Sequence, residues 1–288
     1  MNTDIEIRNC PVCNSGSDQT SLFLEKNYDA TKVSGFSFAS RKNPEFMCHH
    51  LVKCLNCDLV YADSPPSVEE LAEQYHEAEF DSDEEANDAS ASYGKALSNL
   101  FIKMKNKNKA LDIGAGTGVF LDELKLAGFK NLVGIEPSVE PIEAAPSHRK
   151  NWLINDIFKA DMFDYESFDF VGCFMTMEHV RDRKLIAQES MKILRNEGAI
   201  AFVVHDHNSL VNKILGKKSP IIDIEHMQLF SKNSIRELLV LTGYKDIEVR
   251  SFYNRYPLKY WVRLLPLPNG MKDYILKVLR LIGIDSLR

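Results

Sequence analysis

The 288-residue sequence lacks any apolar run that approaches the roughly 18–20 residues of a membrane-spanning helix. Its first residues include acids and no apolar stretch, so a secretory signal is not expected. Basic residues are not in excess, because 35 Lys and Arg stand against 41 Asp and Glu. The resulting net charge of −6 argues against a nucleic-acid backbone as partner. These absences predict a cytoplasmic protein that does not bind nucleic acid.

Cysteine is also scarce, with six residues, yet four of them form two Cys-x-x-Cys pairs. The four are Cys10, Cys13, Cys54 and Cys57. A reducing compartment disfavours structural disulfides, whereas two such turns supply the four thiolates of a tetrahedral zinc site. Four thiolates leave no coordination position open, so we expect a structural zinc ion. Cys48, His49 and His50 lie near the second pair and are alternative ligands.

The segment that carries these cysteines, residues 1–75, is short and polar. Metal binding would supply folding free energy that a small core cannot. We expect this zinc-binding module to have a core separate from the rest of the chain. Strands are predicted over 34–38, 46–53 and 59–61, followed by a helix over 68–75 that Ser67 and Glu70 begin as a capping box. Residues 76–109 are predicted to be an acidic linker and a helix over 89–105.

A glycine-rich turn follows the next strand-like segment, and a helical pattern begins at Val119. The turn contains Asp112, Gly114, Ala115, Gly116 and Gly118. Glycines remove side chains where the backbone turns sharply and a ligand approaches, and the following helix offers free N–H groups and its positive end. The spacing is Gly-x-Gly-x-Gly, which differs from the Gly-x-Gly-x-x-Gly pattern of dinucleotide-binding folds. The turn predicts a ligand site after a strand.

Residues 112–118 resemble motif I of the class I S-adenosylmethionine-dependent methyltransferases. The resemblance implies an α/β fold, with a Rossmann-like doubly wound sheet over residues 110–252. It also implies that the loop wraps the methionine part of S-adenosylmethionine, and that Asp112 anchors the loop or the cofactor's amino group. A glycine-rich turn in another kind of α/β protein is the alternative.

Two further acids are placed to bind that cofactor. Glu136 ends a predicted strand over 131–135, one βα unit after the glycine-rich turn, where a carboxylate accepts hydrogen bonds from ribose hydroxyls. In the resembled family, an aspartate after strand three accepts a hydrogen bond from the adenine amino group, and Asp156 matches that position. The remaining predicted cofactor contacts are Pro137, Ile157 and, at the end of the strand over 168–174, Phe174.

Four histidines are expected near the carboxyl ends of the predicted strands over 168–174 and 199–204. They are His179, His205, His207 and His226. Ligands bind at these strand ends, and imidazole titrates near neutral pH, so we expect one histidine to take a proton from the methyl acceptor. His179 ranks first as the base, followed by His226 and then His205 and His207, with Glu178 as a neighbouring catalytic candidate. A zinc site built from three of the histidines is a weaker alternative.

The C-terminal segment, residues 253–288, is predicted to be a tail of two amphipathic helices that follows a sixth strand over 246–252. A seventh strand, usual in the resembled family, is not recognisable. Residues 251–288 carry seven Lys or Arg and two Asp, a net charge of +5 (7 − 2). The tail is therefore expected to pack on the domain, to touch a membrane surface, or to form a homodimer.

The two cysteine pairs, with Leu59, Val60, Tyr61 and the Pro65-Pro66-Ser67 break, resemble a methyltransferase subgroup that carries an N-terminal zinc module. That subgroup is tied to bacterial sugar or surface-polysaccharide biosynthesis and includes deoxysugar C-methyltransferases. The resemblance implies methyl transfer to a small hydroxylated acceptor, such as a nucleotide-linked sugar or glycan precursor, with O-, C- and N-methylation left open. The alternatives are an RNA or protein methyltransferase that docks through the zinc module, and a non-catalytic cofactor-binding scaffold.

Overall fold

The computed structural model describes residues 7–29, 31, 46–67 and 83–288. The strands are β1 Thr20–Leu24, β2 Leu51–Cys54, β3 Val60–Ala62, β4 Lys109–Ile113, β5 Asn131–Glu136, β6 Leu153–Asn155, β7 Phe168–Phe174, β8 Leu194–Val203 and β9 Gln228–Leu229. The α-helices are α1 Asp83–Lys103, α2 Val119–Leu126, α3 Val139–Ala144, α4 Ser147–Lys150, α5 Arg183–Ile193, α6 Leu210–Leu215, α7 Lys232–Leu241, α8 Leu258–Leu264 and α9 Asn269–Leu281.

The larger sheet is parallel, with five strands in the order β6-β5-β4-β7-β8. Its inner strand β7 is buried at all seven residues, of which only Asp169 is charged, because both faces of the sheet are covered there. The strand order reverses on either side of β4, so the loop after β4 lies at the crevice where such sheets bind ligands. The predicted Rossmann-like α/β sheet is confirmed.

The smaller sheet is antiparallel, in the order β1-β2-β3-β9. Its fourth strand comes from far along the chain, since Val60 and Tyr61 of β3 pair with Leu229 and Gln228. Cys10, Cys54 and Leu111 belong to one buried hydrophobic cluster. The expectation of a separate core for residues 1–75 is therefore wrong, because apolar side chains of the small sheet pack directly against those of the parallel sheet.

Several predicted boundaries differ from the structure. The predicted strand over 246–252 is not a strand: Asp246 has a φ of 53°, which interrupts the extended run, and Phe252 packs against Tyr93 with ring centroids 5.8 Å apart. The strand predicted over 46–53 begins only at Leu51. The segments predicted as a strand over 34–38 and a helix over 68–75 lie outside the described residues.

The two predicted C-terminal helices are present as α8 and α9. Ion pairs hold this tail against α1: Lys259 Nζ lies 2.6 Å from Glu84 Oε2, and Arg288 Nε lies 2.7 Å from Asp88 Oδ1. The outer face of α9 leaves apolar side chains in solvent, with Leu281 86% exposed. Among the described helices, none combines the length and apolar character needed to cross a bilayer. Membrane-surface contact and dimerisation through the tail stay predictions.

Candidate functional site

The loop between β4 and α2 is shaped by glycines in left-handed conformations. Gly114 has a φ of 77°, and a Cβ there would collide with the Thr176 hydroxyl. Gly116 has a φ of 53°, and a Cβ there would meet no atom within 4 Å. The first glycine thus lets β4 and the turn after β7 approach closely, and the second leaves an open cradle where a ligand can lie against the backbone. Gly118 caps α2, also with a positive φ of 72°.

Asp112 lies beneath this loop and is 2% exposed. Its Oδ1 atom is buried and has no hydrogen-bond partner among the described residues, and the same holds for Thr117 Oγ1. Buried polar atoms in native proteins are normally paired, so an orphaned carboxylate oxygen beside an open loop indicates a place for a donor from a ligand. The ammonium group of a methionine moiety is such a donor, and the residues present fit S-adenosylmethionine.

Glu136, at the end of β5, joins the loop to the next turn. Its Oε2 accepts a hydrogen bond from Gly116 N at 2.8 Å, and its Oε1 accepts one from Ser138 N at 2.8 Å. Burial raises the pKa of this carboxyl group, and the two backbone donors counteract that rise. Each oxygen keeps a second acceptor position, so the carboxylate can still accept hydrogen bonds from a ribose diol.

The other predicted cofactor contacts differ in burial and in whether they line the cavity. Ala115, Pro137, Ile157 and Phe174 line one cavity with Glu136. Phe174 is also a core residue, since its ring stacks on Tyr93 at a centroid distance of 5.3 Å. Asp156 is exposed, and its Oδ1 accepts a hydrogen bond from Ile157 N at 2.7 Å. Their contact with the cofactor stays a prediction.

Asp112 is expected to make stability depend on pH. Burial, and then the nearby charge of Glu136, raise the pKa of Asp112 from 3.8 to about 8. A carboxyl group whose pKa is raised by folding stabilises the protein fully below pH 3.8, and this contribution is lost as pH rises through about 8. In chemical denaturation without cofactor, we expect the free energy of unfolding to fall between pH 3.8 and about 8, and to fall less in Asp112→Asn. Equal slopes in the two proteins would contradict the assignment.

Three of the four predicted histidines meet at the wall of this cavity. The ring centroids of His179 and His226 are 4.9 Å apart, and those of His205 and His226 are 5.4 Å apart. Glu225, which the sequence analysis did not single out, has one carboxylate oxygen 3.8 Å from His179 Nδ1 and the other 3.8 Å from His226 Nε2. Its sequence signal is the Glu225-His226 pair, which resembles a Glu-His segment of the S-adenosylmethionine-dependent methyltransferases. We call His179, His205, His226, Glu178 and Glu225 the histidine–glutamate cluster.

Glu178 is the most deeply buried member of the cluster, with no exposed surface. Its Oε1 accepts a hydrogen bond from His205 N at 2.6 Å and lies 3.4 Å from His205 Nδ1. Burial alone would raise the pKa of Glu178, but the hydrogen bonding from His205 and the charges of the three histidines together hold it below its usual value. A buried carboxylate that stays ionised makes the cluster a favourable place for positive charge.

The ring of His226 is fixed in one tautomer. Its Nδ1 lies 2.9 Å from Ile221 O, and because a carbonyl oxygen only accepts, Nδ1 must carry the proton. Its Nε2 therefore presents a lone pair toward Glu225. Burial lowers the pKa of His226 to about 4, so the ring is neutral at physiological pH.

His207, the fourth histidine, does not belong to the cluster. Its Nε2 donates to Asp58 O at 2.9 Å, and its ring meets Phe23 edge-on with centroids 6.0 Å apart. Asn208 Nδ2 donates to Asp58 Oδ2 at 2.6 Å. The expectation that all four histidines cluster is therefore wrong for His207, which connects the segment after β8 to the second cysteine turn.

The glycine-rich loop and the histidine–glutamate cluster share one cavity of about 2020 Å³. Gly114, Thr117 and Glu136 line this cavity, and so do His179, His205, Glu225 and His226. The cavity also extends to residues of β8 and of the C-terminal tail, such as Ala199 and Trp261. Thr176 and Met175, from the turn after β7, line the same space.

The four predicted zinc ligands meet in a separate, buried group. Cys10 Sγ lies 3.5 Å from Cys57 Sγ, and Cys13 Sγ lies 3.5 Å from Cys54 Sγ. All four sulfur atoms lie within 4.8 Å of one another. Ligands about 2.3 Å from a tetrahedral zinc ion stand about 3.8 Å apart, so this spacing fits a four-cysteine zinc site. Cys48 lies elsewhere, and its Sγ donates to Glu25 O.

Comparison with known proteins gives matches over part of the chain. Residues 82–249, more than half of the sequence, match a family model described as a methyltransferase domain. A ubiquinone biosynthesis O-methyltransferase of Actinobacillus pleuropneumoniae is 31% identical over 104 residues, covering 33% of this chain and 44% of that protein. The corresponding enzyme of Pelagibacter ubique is 35% identical over 94 residues, covering 31% and 39%. The matched segment thus spans less than half the length of these relatives.

Among solved structures, a S-adenosylmethionine-dependent methyltransferase of Thermotoga maritima is 25% identical, covering 55% of this chain and 72% of that chain with a TM-score of 0.44. The family model spans the parallel sheet from α1 to the segment after α7, and therefore the loop after β4 and the cluster after β7 and β8. With this match over more than half of its length, the chain belongs to the methyltransferase domain family.

Proposed function

We propose that this protein transfers a methyl group from S-adenosylmethionine to a hydroxyl group of a small acceptor. The observation that carries the proposal is the shared cavity, which has an orphaned buried carboxylate beside a glycine cradle on one side and ionisable imidazoles on the other. The relatives named as O-methyltransferases support a hydroxyl as the methylated group. The resemblance of the cysteine pairs to those of sugar-associated methyltransferases supports a nucleotide-linked sugar or glycan precursor as acceptor.

The bound cofactor supplies an electrophilic methyl group on a sulfonium. In the proposal, Asp112 accepts from the cofactor's ammonium, and Glu136 accepts from the ribose hydroxyls while it holds Gly116 and Ser138. Asp156 and Ile157 flank the adenine. Because the loop is already fixed by Glu136 before the cofactor enters, little conformational entropy is lost on binding.

The acceptor hydroxyl must lose its proton as its oxygen attacks the methyl carbon. His179 and His205 both line the cavity, and Glu178 stabilises positive charge on His205. We propose that this cluster orients the acceptor and takes up its proton, with the rest of the rate enhancement coming from alignment of the two reactants.

We further propose that Cys10, Cys13, Cys54 and Cys57 bind one structural zinc ion. Arg183 supports this: it is fully buried, and its Nε and Nη1 atoms have no hydrogen-bond partner within the described ranges. Cys10 and Cys57 are close enough for their charges to act on this guanidinium. A zinc tetrathiolate carries two negative charges, which would balance a buried cation that is otherwise costly. The division of the chain into a zinc-binding module (1–75), an acidic linker with a helix (76–109), a methyltransferase domain (110–252) and a helical tail (253–288) also stays a proposal.

Glu136→Ala tests the cofactor site. We expect the Kd for S-adenosylmethionine to rise at least about tenfold, since each lost hydrogen bond to a charged group is worth roughly 1.5–3 kcal/mol. Glu143→Ala, an exposed acid of the neighbouring helix, should bind like the wild type. Calorimetry of the two variants measures the difference, and an unchanged Kd in Glu136→Ala would refute the assignment.

The acceptor is best sought by mass spectrometry of reactions with S-adenosylmethionine and a panel of nucleotide-linked sugars and catechols. A mass gain of one methylene on a sugar supports the sugar proposal, and one on a catechol ring oxygen replaces it. Cofactor binding without methylation of any acceptor, including RNA and protein fractions, would favour a cofactor-binding scaffold.

A further inference from the structure

His179, Glu225 and His226 bring two imidazoles and a carboxylate together at the wall of the cavity. One ligand atom from each residue lies within 4.8 Å of the other two. We propose that these three side chains bind one divalent metal ion of the zinc class, and that an oxygen of the methyl acceptor occupies an open position on that ion. The role toward the acceptor rests on the proposed function; the metal site itself does not.

The carboxylate of Glu225 lies between the two rings. Its Oε2 is 3.8 Å from His179 Nδ1, and its Oε1 is 3.8 Å from His226 Nε2. Each separation is longer than a hydrogen bond. Two ligands at 2.0–2.1 Å from a tetrahedral ion stand about 3.4 Å apart, so small side-chain rotations bring all three atoms into coordinating positions.

The ring of His226 is already prepared as a metal ligand. Because Nδ1 donates to Ile221 O at 2.9 Å, the lone pair sits on Nε2, which faces Glu225. A histidine ligand typically donates its other ring N–H to a backbone carbonyl or carboxylate, which fixes the tautomer and the ring orientation. Ile221 O therefore serves as the outer-shell partner that such a site needs.

The charge of the cluster also favours a cation. Glu178 and Glu225 both lie close enough to His226 for their charges to act on its ring, and Glu178 has no exposed surface. Two carboxylates beside the same imidazole make this part of the cavity wall favourable for a cation. Glu178 lies beside His205, and its Oε1 accepts a hydrogen bond from the His205 backbone N–H.

The ligand set selects the kind of metal. Two histidines and one carboxylate form catalytic zinc sites and sites for similar first-row ions, whereas Mg²⁺ and Ca²⁺ prefer all-oxygen ligands. Three protein ligands leave at least one position open, and this position faces the cavity that His179, Glu225 and His226 line. A bound ion would lower the pKa of a coordinated hydroxyl. With His179 and His226 engaged as ligands, His205 would be the residue left to accept the proton.

The test is metal stoichiometry in full-length protein dialysed against Zn²⁺, measured by elemental analysis for the wild type, Glu225→Gln and His179→Gln. We expect the wild type to hold one more zinc per chain than either variant. Their affinity at this site should fall by more than the roughly 10–100-fold typical of a lost outer-shell partner. His205→Gln, which changes a histidine of the same cluster outside the triad, should keep the second ion.

Cobalt substitution identifies the site. The additional Co²⁺ of the wild type should give absorption without sulfur-to-metal charge transfer, as expected for nitrogen and oxygen ligands. Equal metal content in wild type and Glu225→Gln, or a second ion with thiolate absorption, would overturn the proposal. Full methyl transfer by protein that lacks the second ion would refute the metal's role toward the acceptor and leave the proposed function standing. A second ion without methylation of any acceptor would leave the metal site standing and refute the function.

Discussion

His179→Ala is expected to lower kcat by roughly 10²–10⁴ while the Kd for S-adenosylmethionine stays near that of the wild type. The loss follows from the place of the ring, which lines the cavity and lies 4.9 Å from the His226 ring, and from its proposed role toward the acceptor. Steady-state kinetics and calorimetry on the same preparations measure the two effects separately. The loss is expected whether the imidazole is the base or a metal ligand, because the substitution removes the ring that either role requires.

The matched control is His148→Ala, the same substitution at an exposed histidine that pairs with Asp122 on the surface. It should retain wild-type kcat. Full turnover in His179→Ala would exclude both roles for that residue, and the same measurement would then apply to His205, whose Nδ1 lies 3.4 Å from the buried Glu178 carboxylate.

Cys54→Ser is expected to unfold the small antiparallel sheet and to lower kcat by about 10²-fold or more. Structural zinc contributes an apparent 10–16 kcal/mol to the folding of zinc-finger peptides, which matches or exceeds the roughly 5–15 kcal/mol stability of a whole domain. The catalytic effect follows from the position of β9. This strand lies just after His226 in the chain and pairs with β3. Met227 O accepts from Ala62 N at 2.8 Å, so losing β3 releases the segment that carries Glu225 and His226. A displacement of 1 Å at a reacting centre costs about 10²-fold.

Cys48→Ser is the matched control, because Cys48 is buried in the same sheet region but lies outside the four-sulfur group. It should retain zinc, the melting temperature and turnover. Zinc content, thermal unfolding and kcat are the measurements. A Cys54→Ser protein with wild-type melting temperature and turnover would show that the four cysteines have neither a structural metal role nor an effect on the acceptor site. Because the cysteines share a core with Leu111, we also expect some loss of cofactor affinity.

Much of the architecture was accessible from the sequence because its signals are local. Strand β7 is apolar at every position except Asp169, and the predicted limits 168–174 coincide with those of the structure. The glycine-rich turn between β4 and α2 depends on residues within one short segment, since only glycine tolerates its left-handed backbone at low cost. Glu136 could be located by the fixed length of a βα unit.

The wrong predictions concern segments whose structure depends on pairing or packing with residues elsewhere in the chain. Residues 246–252 have a strand-like composition, but a strand exists only when an edge pairs with it, and here Phe252 enters the aromatic core beside Tyr93 instead. The N-terminal segment has local zinc ligands, yet its sheet is completed by Gln228 and Leu229. Composition carries no information about which distant edge is available.

The sequence by itself determined the parallel sheet, the glycine-rich turn with its two acids, and the pairing of four cysteines. Each depends on short local patterns, such as one Cys-x-x-Cys turn or one βα unit, in which backbone sterics and ligand spacing leave few options. Only the tertiary structure decided that Glu225 lies between His179 and His226, and that His207 instead bonds to Asp58. Side chains that follow different strands converge or separate according to how the loops between them pack, and that packing is a property of the whole core.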